Sequence, residues 1–301
     1  MSWQNRLLTC ALRRWVKPNS IRGQDVAVSR GLTDRVPFRA KLTLGWGVRT
    51  ENGVALKGEW IEPPVANHAA RQRCILYFHG GAYIAMSAKS YRSITSRLAV
   101  WSDARLFALD YRLAPEYPFP AALDDAVAAY RALIAAGTQA GRIVVAGDSA
   151  GGGLALALLV ALRDAGDALP AAAVLLSPWT DLAATGQSVI DNNDSDALFF
   201  GSWIVPVAGH YLGATPATNP LASPVYADLT GLPPLLVQVS STEVLLDDSR
   251  RVVENARRAG VQATLRVWPG LPHVWQFFAT LLPEGRAALR EAAAFVRSAL
   301  P

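Results

Sequence analysis

The sequence predicts an α/β fold in which a mostly parallel sheet is covered by helices on both faces. From Arg73 onward, short apolar runs alternate with longer helix-forming segments, a pattern that is typical of parallel strands buried on both sides. Apolar residues make up 51% of the 301 residues and charged residues 18%, which is enough apolar material for a large core. One strand–helix junction, at residues 147–152, also carries a distinctive motif.

The first residues form an amphipathic segment. Residues 3–16 are predicted to form a helix with six apolar side chains on one side: Trp3, Leu7, Leu8, Leu12, Trp15 and Val16. Arg6, Arg13 and Arg14 interrupt the apolar residues, so the segment is not predicted to be a signal peptide. We expect it either to pack on the body of the protein or to serve as a lid or a membrane-surface contact.

Two antiparallel strands are predicted next, at residues 42–50 and 54–61. They are joined by Glu51-Asn52-Gly53, and Asn-Gly between alternating runs indicates a hairpin.

The parallel region follows the hairpin in the sequence. Its predicted strands are residues 74–78, 105–109, 142–146, 172–176, 235–239 and 263–267, and its predicted helices are residues 91–101, 120–135, 153–160, 247–259 and 285–300.

Residues 177–234 interrupt this alternation. They show little strand pattern, are rich in Asp, Pro and Gly, and contain one predicted helix at residues 202–212. An insertion of this length in an α/β domain usually serves as a lid or cap. Because neither an internal repeat nor a low-complexity linker divides the chain, we predict one domain covered by this insertion and the N-terminal segment.

Composition and charge narrow the classes of function. The net charge of +5 is modest and the arginines are scattered, so no nucleic-acid site is predicted. Cys10 and Cys74 are too few for a disulfide framework, and we expect reduced thiols in a cytoplasmic protein. No apolar run is long enough to cross a bilayer.

The junction motif is Gly147-Asp148-Ser149-Ala150-Gly151-Gly152, between a buried strand and an apolar helix-forming run. Gly-x-Ser-x-Gly in this position predicts a nucleophile elbow, a sharp turn that lifts the hydroxyl of Ser149 out of the sheet. A glycine-rich turn before a helix can also bind phosphate, but neither Gly-Lys-Ser/Thr nor Gly-x-Gly-x-x-Gly is present. The nucleophile interpretation is therefore favoured.

A serine nucleophile needs a base, and the base needs an orienting acid. His273 follows the last predicted strand, at the same sheet edge as the elbow, and is the predicted base among four histidines. The acid should follow another strand and precede the histidine. Glu243, four residues past strand 235–239, is the predicted acid, and Asp247, in the first turn of the next helix, is the alternative.

A second glycine-containing loop, His79-Gly80-Gly81-Ala82-Tyr83, follows the first parallel strand. The backbone N–H groups of Gly80 and Gly81, together with that of Ala150, are predicted to form an oxyanion hole. His79 is predicted to hold the shape of this loop rather than to act as a base.

No metal site or cofactor is predicted. Asp191, Asp194 and Asp196 loosely resemble a calcium-binding loop, but the required Gly and terminal Glu are missing.

Together these motifs resemble the bacterial hormone-sensitive lipase-like (family IV) esterases of the α/β-hydrolase superfamily. The similarity extends from about Arg73 to the C-terminus and is carried by residues 79–82, 110–116, 119–125, 147–152, 177–179 and His273. It implies the α/β-hydrolase fold, with Ser149 as nucleophile, His273 as base, and Gly80, Gly81 and Ala150 as oxyanion donors. Ala82 stands where the family has a third glycine, and Glu243 stands where many members have Asp.

The resemblance also implies a division of the chain and an activity. Residues 1–45 would form N-terminal cap helices, and residues 46–301 a catalytic domain with a cap insertion at about 180–225. The implied activity is hydrolysis of small-molecule, short- to medium-chain acyl esters through an acyl-enzyme, without a cofactor, by a protein whose relatives often form homodimers. The alternatives are a non-catalytic small-molecule binding protein on the same fold, a lactonase or an amidase.

Overall fold

A computed structural model describes residues 1–20, 25–33, 42 and 45–300 of the chain. These residues form one eight-stranded sheet with the strand order β1-β2-β4-β3-β5-β6-β7-β8. The strands are β1 Gly47–Asn52, β2 Lys57–Glu62, β3 Cys74–Phe78, β4 Arg105–Leu109, β5 Ile143–Asp148, β6 Ala172–Leu176, β7 Leu235–Ser240 and β8 Ala263–Trp268.

The sheet is antiparallel at one edge and parallel elsewhere. Strand β2 pairs antiparallel with both β1 and β4, and all other neighbours are parallel. Strand β5 lies at the centre, with Gly147 opposite Phe78 of β3 and Asp148 opposite Leu176 of β6. The carboxyl ends of β3, β5, β6, β7 and β8 therefore meet at one edge, where loops of an open α/β sheet form binding sites.

Helices cover both faces of the sheet. Residues of β3 alternate between two apolar cores, with Leu76 and Phe78 in one and Ile75 and Tyr77 in the other. The first core contains helices α6, α7 and α10, and the second contains α5 and α11. The helices are α1 Trp3–Ala11, α2 Lys17–Ser20, α3 Val26–Thr33, α4 His68–Gln72, α5 Arg92–Ser102, α6 Ala121–Ala135, α7 Ala150–Asp164, α8 Ser188–Asp191, α9 Ile204–Leu212, α10 Leu246–Arg258 and α11 Pro283–Ala299.

The predicted α/β fold is confirmed, and the parallel strands lie within two residues of their predicted ends. The hairpin is present but shorter than predicted. Strand β1 begins at Gly47 rather than at residue 42, and residues 43–44 of the predicted strand lie outside the described residues. Strand β2 begins at Lys57 because residues 53–56 form the turn.

The N-terminal segment contacts the insertion after β6. A π-helical turn, Leu12–Val16, joins α1 to α2, and the buried Lys17 donates hydrogen bonds to the carbonyl oxygens of Asn193 and Asp196. The apolar side predicted for this segment does not pack as a unit, because Leu12 is buried whereas Trp3, Leu7 and Trp15 are exposed. Among the described residues no helix has the length and apolar character needed to traverse a bilayer.

Candidate active site

Ser149 lies at a sharp turn between β5 and α7. Its backbone is held at φ +51° and ψ −123°, a conformation that costs energy for a residue with a side chain. Its N–H donates to the carbonyl of Leu176 over 2.9 Å, which ties the turn to β6. A Cβ atom at Gly151 would lie 2.1 Å from the carbonyl oxygen of Phe78, so only glycine allows this approach. The turn leaves Ser149 partly exposed.

His273 and Glu243 meet at the ends of β8 and β7. Nδ1 of His273 lies 2.5 Å from Oε2 of Glu243, and both side chains are buried. The other carboxylate oxygen, Oε1, accepts hydrogen bonds from Ser177 Oγ at 2.8 Å and from the Ser240 N–H at 2.6 Å. Both oxygens of Glu243 are therefore hydrogen-bonded, as a buried carboxylate requires.

The alternative acid, Asp247, is engaged elsewhere. Its Oδ2 accepts a hydrogen bond from the Ser188 N–H at 2.8 Å, and its Oδ1 pairs with Arg250 at 3.1 Å. These contacts join the first turn of α10 to α8. The chain thus brings Glu243, and not Asp247, to His273.

The electrostatic surroundings of His273 favour its protonated form. Burial lowers the pKa of the imidazole, but the negative charge of Glu243 and its hydrogen bond outweigh burial, and the pKa is raised above its usual 6.5. Asp196 and Asp148 raise it further. Burial in turn raises the pKa of Glu243, which the charge of His273 opposes. A positive imidazolium formed at this position is thus stabilised by three carboxylates.

The loop after β3 is shaped by His79, as predicted. The buried His79 donates its Nδ1–H to the carbonyl of Gly80 at 2.6 Å. Its ring stacks on Tyr111, with 4.4 Å between the centroids, and Tyr111 Oη donates to the carbonyl of His79 at 2.7 Å. Burial lowers the pKa of His79, so its ring is neutral and structural.

Gly80 holds the same loop against the elbow. Its N–H donates to Oδ1 of Asp148 at 3.1 Å. A Cβ atom at Gly80 would lie 3.1 Å from Cβ of Ser149 and 2.4 Å from Oδ2 of Asp148. The loop and Ser149 are therefore direct neighbours, and a side chain at Gly80 would separate them.

Asp148 is a site residue that the sequence analysis does not predict. It is fully buried at the end of β5, where Oδ1 accepts from Tyr77 Oη at 2.6 Å as well as from Gly80. Burial raises the pKa of this carboxyl to about 7, although the hydrogen bond from Tyr77 lowers it. The sequence signal for Asp148 was a charged residue at the end of an apolar strand. A carboxylate buried there needs hydrogen-bond donors nearby, which indicates a polar site.

Ser177 and Asp196 are two further residues without a predicted role. Ser177 follows β6, donates to Glu243, and accepts the Val274 N–H at 3.3 Å, so it joins the acid loop to the histidine loop. Asp196 accepts the N–H of Val244, the residue after Glu243, at 3.0 Å. The sequence carries a signal for Ser177 alone, because it directly follows a predicted strand. Asp196 carries no such signal, because it lies in the insertion, far from Glu243 in sequence.

Aromatic side chains lead from His273 to the insertion. The ring of Phe199 meets His273 edge-on at 5.2 Å and stacks on Trp203 at 4.7 Å. Trp203 lies 6.4 Å from Trp179, and Trp179 lies 6.3 Å from Tyr83. Phe199 is partly exposed beside His273, whereas Trp203, Trp179 and Tyr83 are buried behind it.

No cluster of His, Cys, Asp or Glu within the described part of the chain could hold a metal ion. The acidic residues of the insertion bond to protein donors instead. Asp191 accepts from Gln187, Asp194 from Asn193, and Asp196 from backbone N–H groups.

Comparisons with known proteins identify the family of the chain. A family model described as the alpha/beta hydrolase fold matches residues 75–277. An acetyl-hydrolase of Streptomyces hygroscopicus is 49% identical over 243 residues, which are 80% of this chain and 79% of that protein. An esterase of Acinetobacter venetianus is 37% identical over 81% of this chain and 79% of its own length.

Solved structures of esterases are similar to this protein over nearly its whole length. An esterase from the bacterial hormone-sensitive lipase family is 42% identical with a TM-score of 0.90, covering 100% of this chain and 99% of its own. EstE5, in a crystal soaked with p-nitrophenyl butyrate, is 38% identical with a TM-score of 0.91 and covers 99% of both chains. The chain therefore belongs to the α/β-hydrolase fold family and is a serine esterase of the bacterial hormone-sensitive lipase type.

Proposed function

We propose that the protein hydrolyses carboxylic esters through an acyl-enzyme formed on Ser149. The observation that carries the proposal is the buried 2.5 Å contact between His273 and Glu243, in a chain whose Ser149 lies on a strained turn. His273 takes the Ser149 proton as Oγ attacks the ester carbonyl, and Glu243 stabilises the imidazolium. His273 then protonates the departing alcohol, and a water molecule repeats the sequence to release the acid.

The oxyanion hole is proposed to use the N–H groups of Gly81 and Ala150. Ala150 begins α7, so its N–H belongs to the helix end that carries partial positive charge. The role predicted for Gly80 differs, because its N–H already donates to Asp148. Gly80 then contributes by keeping the loop close to Ser149.

Short- to medium-chain acyl esters are the proposed substrates. The partly exposed ring of Phe199 offers an apolar surface beside His273, and the buried rings of Trp203, Trp179 and Tyr83 support it from behind. The segment 1–45 and the insertion at about 180–225 are proposed to act together as a cap, which the contact of Lys17 with Asp196 supports. A cytoplasmic location and a homodimer are likewise proposed.

Hydrolysis of a 4-nitrophenyl ester series from acetate to palmitate tests this function. We expect the highest kcat/KM at short to medium chains and a steep fall toward palmitate, because a pocket bounded by a cap has finite length. A 4-nitroanilide run in parallel reports amidase activity, and a lactone reports lactonase activity. No turnover of any ester would contradict the proposal and favour a non-catalytic binding protein.

The pH dependence tests the proposed base. Because His273 must be neutral to accept the Ser149 proton, a raised pKa moves the acid limb of kcat/KM to a pH above 6.5. Asp196→Asn removes a charge that raises this pKa, so the acid limb should move to lower pH. The measurement is kcat/KM for a short ester across the acidic and neutral range.

Asp194→Asn is the matched control, since Asp194 is exposed and two residues away. Its acid limb should coincide with that of the unmodified protein. An acid limb that lies below pH 6.5 in the unmodified protein, or that moves equally in both variants, would contradict the proposed role of His273.

A further inference from the structure

The N-terminal helical segment, residues 3–20, presents an apolar face to solvent. Trp3, Leu7 and Trp15 are exposed by 67%, 63% and 65% of their surfaces, respectively. Single exposed apolar residues are ordinary, but large ones repeating at helical spacing on one segment indicate an interaction surface. We call this surface the N-terminal face.

The segment is attached to the body by other side chains. Asn5 is buried and donates from Nδ2 to the carbonyl of Gly270 at 2.9 Å. Leu12 and Lys17 are also buried, and Lys17 is bonded to the insertion. The N-terminal face is therefore not needed to hold the segment in place.

The charge of the segment is uniformly basic. Residues 1–20 contain Arg6, Arg13, Arg14 and Lys17 and no acidic residue. Arg6 and Arg14 are exposed. With Arg13 they line a groove of about 680 Å³ between α1 and the loop residues Thr242 and Gly270. Guanidinium groups that flank exposed tryptophans match the interface of an anionic membrane, where aromatic rings lie at headgroup level and arginines contact phosphates.

We propose that the N-terminal face docks on an anionic lipid surface, with the helix lying in the plane of the interface. Trp3, Leu7 and Trp15 insert at the boundary between headgroups and acyl chains, and Arg6 and Arg14 bind headgroup phosphates. A second copy of the chain fits this face poorly, because a two-fold contact would bring two uniformly basic segments together.

The side of the segment opposite the N-terminal face contacts the loop that leads to His273. The carbonyl that Asn5 holds belongs to Gly270, three residues before His273. Helix α1 therefore lies between the docked lipid surface and this loop. This proposal does not depend on esterase activity and is tested by binding alone.

The test uses the full chain and vesicles of phosphatidylglycerol with phosphatidylcholine, compared with pure phosphatidylcholine, by co-sedimentation and tryptophan fluorescence. We expect binding to the anionic vesicles, weakened by salt, with a blue shift as Trp3 and Trp15 enter the interface. Arg6→Glu with Arg14→Glu should lower the partition coefficient at least ~25-fold, since each basic residue near an anionic surface contributes a factor of about five. Trp3→Ser with Leu7→Ser should lower it at least ~10-fold.

The matched control is Val54→Ser with Lys57→Glu, which removes one exposed apolar side chain and reverses one charge on the β1–β2 hairpin. It should bind as the unmodified protein does. Thermal unfolding midpoints should be equal for all variants, because the changed side chains are exposed. Equal binding to both vesicle types, or equal loss in the control, overturns the proposal. Absence of binding to the anionic vesicles also overturns it, and dimerisation that the Trp3 and Leu7 substitutions abolish would then identify a second copy of the chain as the occupant of the N-terminal face.

Discussion

Ser149→Ala should lower kcat for a short 4-nitrophenyl ester by at least ~10³-fold, the scale seen when the nucleophile of a serine hydrolase is removed. The hydroxyl is the atom that forms the acyl-enzyme, and alanine has no group that can replace it. What remains would come from the backbone donors and from substrate positioning. Pre-steady-state measurements with the ester in excess should show no burst of 4-nitrophenol, because no acyl-enzyme accumulates.

The control for this substitution is Ser298→Ala, because Ser298 is exposed on α11, away from the site. Its kcat should equal that of the unmodified protein. The unfolding midpoint of Ser149→Ala should not fall. Alanine and serine both carry a Cβ atom, so the backbone at φ +51° is strained to a similar degree with either residue. Ester turnover that survives in a folded Ser149→Ala protein would end the proposed mechanism.

Glu243→Gln should lower kcat by ~10³- to 10⁴-fold with little change in KM, on the scale of amide substitutions of a triad acid. A neutral amide cannot stabilise the imidazolium that forms during attack. It also offers an N–H where His273 needs an acceptor, which favours the wrong tautomer of the ring. Because Glu243 accepts from Ser177 and Ser240 through its other oxygen, the glutamine side chain can remain in place.

Asp247→Asn is the matched comparison, since it makes the same chemical change four residues away. Its oxygens bond to Ser188 and Arg250 and not to His273. We expect kcat within ~3-fold of the unmodified value and an effect confined to the attachment of α8. A larger loss in Asp247→Asn than in Glu243→Gln would transfer the role of acid to Asp247.

The parallel half of the fold was predictable because its signals are local. Strands such as Cys74–Phe78 and Arg105–Leu109 are short apolar runs bounded by polar residues, and their observed ends agree with the prediction. The hairpin was harder to place. Its turn occupies residues 53–56 rather than 51–53, since the pairing of Asn52 with Lys57 is set by the neighbouring strand β4 and not by Asn-Gly alone.

The sequence by itself determined the fold class, the turn at Ser149 and the order of serine, acid and histidine along the chain, since each is encoded in a short stretch of neighbouring residues. Only the tertiary structure decided which carboxylate meets His273, that the Gly80 N–H is donated to Asp148, and that Asp196 reaches the acid loop from the insertion. It also decided that Trp3, Leu7 and Trp15 face solvent. These outcomes depend on side chains far apart in sequence, whose distances are set by how strands and loops pack.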